Sequence, residues 1–347
     1  MRAGARLQTL ICAGLLLNAC SSVPTPVAEV PAAAEDRQSA LVLENIVLTE
    51  ANRQGNGPLW ELKARKAEYN RDRSVATVAE IEGVFYHNGR PVLTVQAPKG
   101  EVRIVAREIV LSGKVEALSP VRQTRFTASS VRWLPERNRL SAEGPVRLTQ
   151  PGEEMVVQGR ALSGDLAAQV FTLTGAVRAT SPVHKLQLDA PRVRWQLQEN
   201  LLAGDQGVTA HSDAYSVTLK APQATWNVPE QLVRARADTS APVVVNTGDP
   251  QVDFQAQRML WSLSRQVLEG EGKIVARATR PESSFEADRM TYTMTSRRLN
   301  ASGQVRYWQA RQNLRVEGPV AVAELGGTTV RISGGRVVSR LGGAGRQ

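Results

Sequence analysis

"FTASSVRWLPERNRLSAEGPV" (Phe126–Val146), "FQAQRMLWSLSRQVLEGEGKI" (Phe254–Ile274) and "FEADRMTYTMTSRRLNASGQV" (Phe285–Val305) share a skeleton and few polar residues. Each starts with Phe, has Ala two residues on, Val or Met at five, and Trp or Tyr at seven. Leu follows at fourteen, Gly at eighteen, and Val or Ile at twenty. Size and polarity repeat, but no catalytic pattern does.

The alanine marks the repeat along the chain, at Ala64, Ala97, Ala128, Ala161, Ala190, Ala221, Ala256 and Ala287. Five residues later stand Tyr69, Val102, Trp133, Leu166, Trp195, Trp226, Trp261 and Tyr292. Self-similarity at a fixed period of 20–50 residues signals stacked supersecondary units.

Leu140, Ala142, Gly144, Val146 and Leu148 fall on one parity, with Ser141, Glu143 and Arg147 on the other. Leu299–Tyr307 repeats this alternation. Period two predicts a strand with one dry and one wet face. In the first half Phe126 and Ala128 are even, whereas Val131 and Trp133 are odd. A β-bulge or corner just after the alanine would turn all four inward. Polar stretches such as "LPERNR" and "TMTSR" read as turns. Each unit therefore supplies two strands, giving about sixteen to eighteen in all by the strand periodicity.

Propeller blades need about 40–45 residues each, more than these units offer. A transmembrane barrel needs an apolar outer face, but here that face carries Arg132, Arg137, Arg139, Glu143 and Arg147. The expected fold is all-β: an elongated, twisted, open double-layered sheet of antiparallel strands.

Arg2 and Arg6 precede an apolar run from Leu7 to Leu17, too short to span a bilayer. Leu17-Asn18-Ala19-Cys20 resembles a bacterial lipobox, which implies export and acylation of Cys20 as the mature N-terminus. Residues 1–19 are then a lipoprotein signal, and the Pro/Ala-rich residues 20–38 a tether. Cys12 lies inside the signal, so no disulfide is expected. The chain carries +10, or +8 without Arg2 and Arg6. That favours an anionic partner, and export argues against nucleic acid.

The motifs Leu59-Trp60-x-Leu62-x-Ala64-x-x-Ala67-x-Tyr69, Leu93-x-Val95-x-Ala97-Pro98-x-Gly100 and Leu111-Ser112-Gly113-x-Val115 resemble the LptC-type proteins of lipopolysaccharide export. The likeness covers residues 41–120, and the same strand grammar runs on to about residue 334. It implies a β-jellyroll shared with LptA- and OstA-type proteins. It also implies a non-enzymatic bridge, which takes lipopolysaccharide from an inner-membrane ABC transporter and passes it to a partner jellyroll docked edge to edge. Two features depart from the family: the lipid anchor in place of a transmembrane helix, and the greater length. The latter suggests an LptC-like module at 39–180 and an OstA/LptA-like continuation at 181–334, before a tail at 335–347. The anchored face is expected to be periplasmic, at the inner membrane or else the outer.

Candidate lipid-facing residues are Trp60, Leu62, Tyr69, Phe126, Val131, Trp133, Leu140, Val146, Trp195, Phe254, Trp261, Leu268, Phe285 and Tyr292. Trp226 shares this pattern, and all the aromatics are equally suited to filling a core. The arginines at 132, 137, 139, 147, 192 and 194 suit lipid phosphates or a solvated sheet face. His87, His184 and His211 lack metal-ligand spacing, and "GEGK" at 270–273 lacks the rest of a phosphate loop. No catalytic residue, metal or cofactor is expected. A structural or adhesive envelope lipoprotein is the alternative. The stretches 41–50 and 328–338 are the expected sheet edges, the first towards the transporter and the second towards a partner jellyroll.

Overall fold

The computed structural model describes residues 41–51, 57–327 and 329–341. The signal, Cys20 and the tether lie outside the described residues.

Described residues form 24 strands, three single 3-10 turns and no α-helix. The ladder opens with β1 (Leu41–Ala51), β2 (Pro58–Tyr69), β3 (Val75–His87), β4 (Arg90–Arg103) and β5 (Glu108–Leu118). It continues through β6 (Arg125–Leu134), β7 (Arg139–Gln150), β8 (Met155–Asp165), β9 (Val170–Ser181) and β10 (Leu186–Gln196). Four broken strands follow: β11 (Leu201–Asp205) with β12 (Val208–Ser212), and β13 (Val217–Ala221) with β14 (Gln223–Asn227). The other two are β15 (Leu232–Arg236) with β16 (Val243–Gly248), and β17 (Gln251–Ala256) with β18 (Arg258–Ser262). Then come β19 (Val267–Thr279), β20 (Glu282–Thr293), β21 (Arg298–Gln309) and β22 (Leu314–Glu324). The last strand is broken too, into β23 (Val330–Ser333) and β24 (Val338–Leu341). Joining the five broken pairs turns the 24 segments into nineteen strands, each antiparallel to its chain neighbours.

The corner expected after the alanine recurs along the ladder. In β5–β6 the single residue Ser129 faces Gly113 and Lys114, so Ser112 pairs Ser130 and Val115 pairs Ala128. Asp288 faces Gly272 and Lys273 in β19–β20, and Pro319 faces Gly303 and Gln304 in β21–β22. Two residues against one is a β-bulge, which bends the strand. Gly144 shows why glycine belongs there: its φ is +90°, and a Cβ would lie 3.0 Å from the Cβ of Ser129. Pro98, Pro191 and Pro222 occupy other corners, where a missing N–H removes no ladder bond.

The bend divides every strand between two layers. Layer one holds the first halves of β2, β4, β6, β8, β10, β20 and β22, the second halves of β1, β3, β5, β7, β9, β19 and β21, and β12, β13, β16 and β17. Layer two holds the complementary halves, with β11, β14, β15 and β18. The broken strands make the division explicit, because β11 pairs β14 while β12 pairs β13. One hydrophobic cluster fills the space between the layers from Trp60 to Ala323. Phe85 of layer one stacks on Trp133 of layer two at 3.7 Å between centroids, and Phe254 meets Tyr292 at 5.8 Å.

Two expectations change. The fourth unit takes its corner from Gly159, not Ala161: Gln158 and Ala161 flank the register shift, Ala161 is only half-buried, and Leu162 faces inward. Taken from Gly159, the intervals on either side, to Ala128 and to Ala190, are equal. Its aromatic position is then Gly164, where Phe171 fills the space a side chain would need, 2.7 Å from a built Cβ. The second change is at the C-terminus. The tail expected from 335 instead continues into β24, whose Val338 pairs Glu317. Residues 342–347 lie outside the described residues. The ladder runs unbroken through 180/181, where Ser181 of β9 pairs Leu186 of β10 within one compact unit.

Candidate functional site: the interior between the layers

A single cross-strand row lines layer two on its inner face. Ile109, Trp133, Leu140, Gly164, Phe171, Trp195 and Leu202 pair in succession. Trp226, Val233, Trp261, Leu268, Tyr292 and Leu299 continue the row. Aromatic and aliphatic residues alternate over most of it, so rings recur every second strand, about 10 Å apart. The rings at Trp133, Trp195, Trp226, Trp261 and Tyr292 are essentially shielded from solvent.

Phe126, Val131, Leu140, Val146, Phe254, Leu268 and Phe285 are buried in the same core, as are Trp60 and Leu62, while Tyr69 is half-buried against it. These residues come from both layers and from widely separated parts of the chain. The Trp195 Nε1–H donates to Asn200 Oδ1 at 3.0 Å, whereas Nε1 of Trp133, Trp226 and Trp261 has no acceptor.

Opposite the corners, the strand-joining turns of the two layers face each other across a seam. The reading of these turns as polar missed a row of apolar residues two places after the aromatic position. Pro135, Leu166, Leu197, Val228 and Leu263 are buried there, and Met294 and Leu325 are partly buried. Their spacing follows the repeat, a signal obscured by the small and polar residues around them. Backbone bonds stitch this rim, as in Leu166 N–H to Asn138 O at 2.9 Å and Leu263 N–H to Gln231 O at 2.9 Å. Across the seam, His184 packs edge-on to Trp226 at 6.0 Å, Tyr215 to Trp261 at 6.4 Å, and Arg297 pairs with Asp249 at 2.7 Å.

At the β1 end a pocket of about 240 Å3 opens between Trp60 on one layer and Tyr69, Ala76, Val102 and Ile109 on the other. Trp60 Nε1 donates to Glu50 at 2.8 Å, and Arg107 bridges Glu50 to Glu136 across the mouth. The sheet edges are open among the described residues: β1 pairs only β2, while β23 and β24 pair only β22. Val42, Val47 and Leu341 are exposed on these strands.

The candidate phosphate-binding arginines lie outside the core. Arg132 pairs with Glu108 at 3.1 Å, Arg139 with Asp165 at 3.4 Å and Arg192 with Asp205 at 3.3 Å. Arg137, Arg147 and Arg194 are exposed. His211 lies between Thr218 and Asp213, and no cluster of His, Cys, Asp or Glu among the described residues could hold a metal ion.

The family described as "Lipopolysaccharide-assembly, LptC-related" matches residues 8–181, half of the chain. The chain belongs to the LptC-related family. The family match ends at the last residue of β9, and β10–β24 extend the same ladder beyond it. Membership carries a role in lipopolysaccharide assembly at the level of the family. Among solved structures, the chain is similar to LptH of Pseudomonas aeruginosa, described as the LptA-homologous periplasmic component of a lipopolysaccharide transport device. The identity is 10%, covering 44% of this chain and 84% of that one, with a TM-score of 0.21. None of the curated proteins compared matches the chain. Among the described residues no helix is long and apolar enough to cross a membrane.

Proposed function

We propose that this LptC-related chain holds the acyl chains of lipopolysaccharide, or of a similar glycolipid, between its two layers and passes the lipid along the ladder by binding alone. The inner row from Ile109 to Leu299 carries the proposal, because it is apolar and passes from strand to strand without a break in pairing. Each methylene transferred from water to such a surface gains about 0.8 kcal/mol, so several acyl chains need a dry path across an aqueous gap. Rings at every second strand over most of the row offer similar surface at successive steps. Entry is by the seam, where the rings of His184 and Tyr215 lie edge-on to Trp226 and Trp261.

In this reading Cys20 carries the lipid anchor on the periplasmic face of a bacterial membrane, β1 faces the inner-membrane ABC transporter, and β22–β24 offer an edge to a partner jellyroll. Open strand edges recruit partner strands through their free N–H and C=O groups.

Lipid extraction and mass spectrometry of the purified full chain test the reading. Co-purified glycolipid is the expected result, with loss of crosslinking to it when a photo-crosslinker at Trp133 is moved to the exposed Ser163. A chain that comes out empty, and forms no lipid adduct at Trp133, Trp226 or Trp261 in living cells, is a structural envelope protein instead. Crosslinkers at 316–334 test the edge: adducts with a second β-rich protein are expected, and their absence removes the bridge.

A further inference from the structure

We propose that the outer face of layer two carries a second binding site, a cleft for a short oligosaccharide bearing two or more anionic groups, phosphate or carboxylate. A depression of about 680 Å3 lies on this face over β10, β11, β14, β15, β18 and the first half of β19. That volume suits a ligand larger than a single ion. It is separate from the interior and does not depend on lipid binding there.

Two adjacent cross-strand rows build the cleft. In the first, Ala203, Thr225 and Leu260 make a half-buried floor, and Arg194 pairs Ala203 while Arg234 pairs Thr225. Carbon faces of sugar rings fit such a floor, and the Thr225 hydroxyl and Gln223 amide can bond sugar hydroxyls. In the second row Arg236 lies between Gln223 and Arg258.

The charges are unevenly matched. Arg192 uses Asp205, Arg258 uses Glu271, Arg234 uses Glu230, and Glu269 is taken by Arg265 from outside the cleft. Among the described residues, Arg194 and Arg236 have no acidic partner. Arg236 also stands directly opposite Arg258, and like charges directly opposite destabilise a strand pair. An oxyanion at that point relieves the repulsion, and two guanidinium forks bind phosphate or carboxylate bidentately. Arg194 lies three strand spacings away on β10, about 14 Å. One small anion does not occupy both places, whereas a chain of sugars with an anion towards each end does.

The test uses the full chain in detergent micelles, fluorescein-labelled trigalacturonate as the probe, and fluorescence anisotropy as the readout. Saturable binding is expected, with neutral maltotriose unable to compete. The R194Q/R236Q variant should bind about a hundredfold more weakly or worse, since each of the two lost charge-assisted bonds contributes at least about tenfold. R311Q/R315Q removes the same charge elsewhere and should stay within about twofold on the same scale. R194K/R236K keeps the charge but loses the forks, and should fall between. Equal weakening in R194Q/R236Q and R311Q/R315Q, competition by maltotriose, or no saturable binding would each overturn the proposal. Co-purified lipid, measured on the same samples, should be unchanged in R194Q/R236Q, so that failure of the cleft and failure of the interior path are distinguishable.

Discussion

Trp133 and Trp195 occupy equivalent places in the inner row, yet replacing each by Phe should give different results. Both rings are essentially inaccessible to solvent, so each substitution loses similar packing. The indole nitrogens differ. Trp195 donates to Asn200, which is itself fully buried, and Phe would leave Asn200 Oδ1 without that donor. An unsatisfied buried polar atom costs about 1–3 kcal/mol. Trp133 Nε1 already lacks an acceptor, so Phe there removes an unsatisfied donor and recovers part of what the smaller ring loses. The expected result is that Trp195→Phe destabilises more than Trp133→Phe by about 1–3 kcal/mol, read from urea unfolding with a common slope. Trp133→Ala, which also removes the stack on Phe85, should cost about 3–5 kcal/mol. Equal losses in the two Phe variants would show that the Trp195–Asn200 bond contributes nothing, and the reasoning from buried donors would fail.

Gly144→Ala should destabilise by about 1–3 kcal/mol, because a Cβ is forced into a left-handed corner against Ser129. Gly152→Ala, where a Cβ meets nothing within 4 Å, should stay within about 0.5 kcal/mol of wild type in the same unfolding assay. Burial raises the Tyr292 phenol above its usual 10.0, with Asp249 adding to the rise and Arg297 opposing it. The folded state therefore favours the protonated form: this contribution is complete below the unfolded value and lost as pH rises through the folded one. Thermal midpoints should fall above about pH 10, and Tyr292→Phe should flatten part of that fall. If the two curves superimpose, another group carries the alkaline loss. Arg297→Gln, which opens an exposed ion pair across the seam, should change stability by less than about 1 kcal/mol. A larger loss in denaturant titration would mean that this pair, rather than the apolar row beside it, holds the seam.

The sequence by itself determined the strands, their repeat and the corner in most units. Alternation such as Leu140-Ala142 against Ser141-Glu143 is set by the two-residue period of a strand, and the parity slip between Ala128 and Val131 needs only the neighbouring residues. Local pattern could not choose between Gly159 and Ala161 as a corner, since both are small and only the register with β9 decides. Nor did it reveal the apolar row at Leu166, Leu197 and Leu263, because single apolar residues among turn residues carry no periodicity within one unit. Partners distant in the chain depended on tertiary structure altogether. Phe85 meets Trp133 because the bent strands fold one layer over the other, and Arg107 reaches Glu50, 57 residues away, across the mouth that this folding creates. Arg236 faces Arg258 only through the pairing of β15 with β18, which are not consecutive segments. Side-chain alternation is a property of one strand, whereas the interior, the seam and the outer cleft depend on how bent strands are registered against each other.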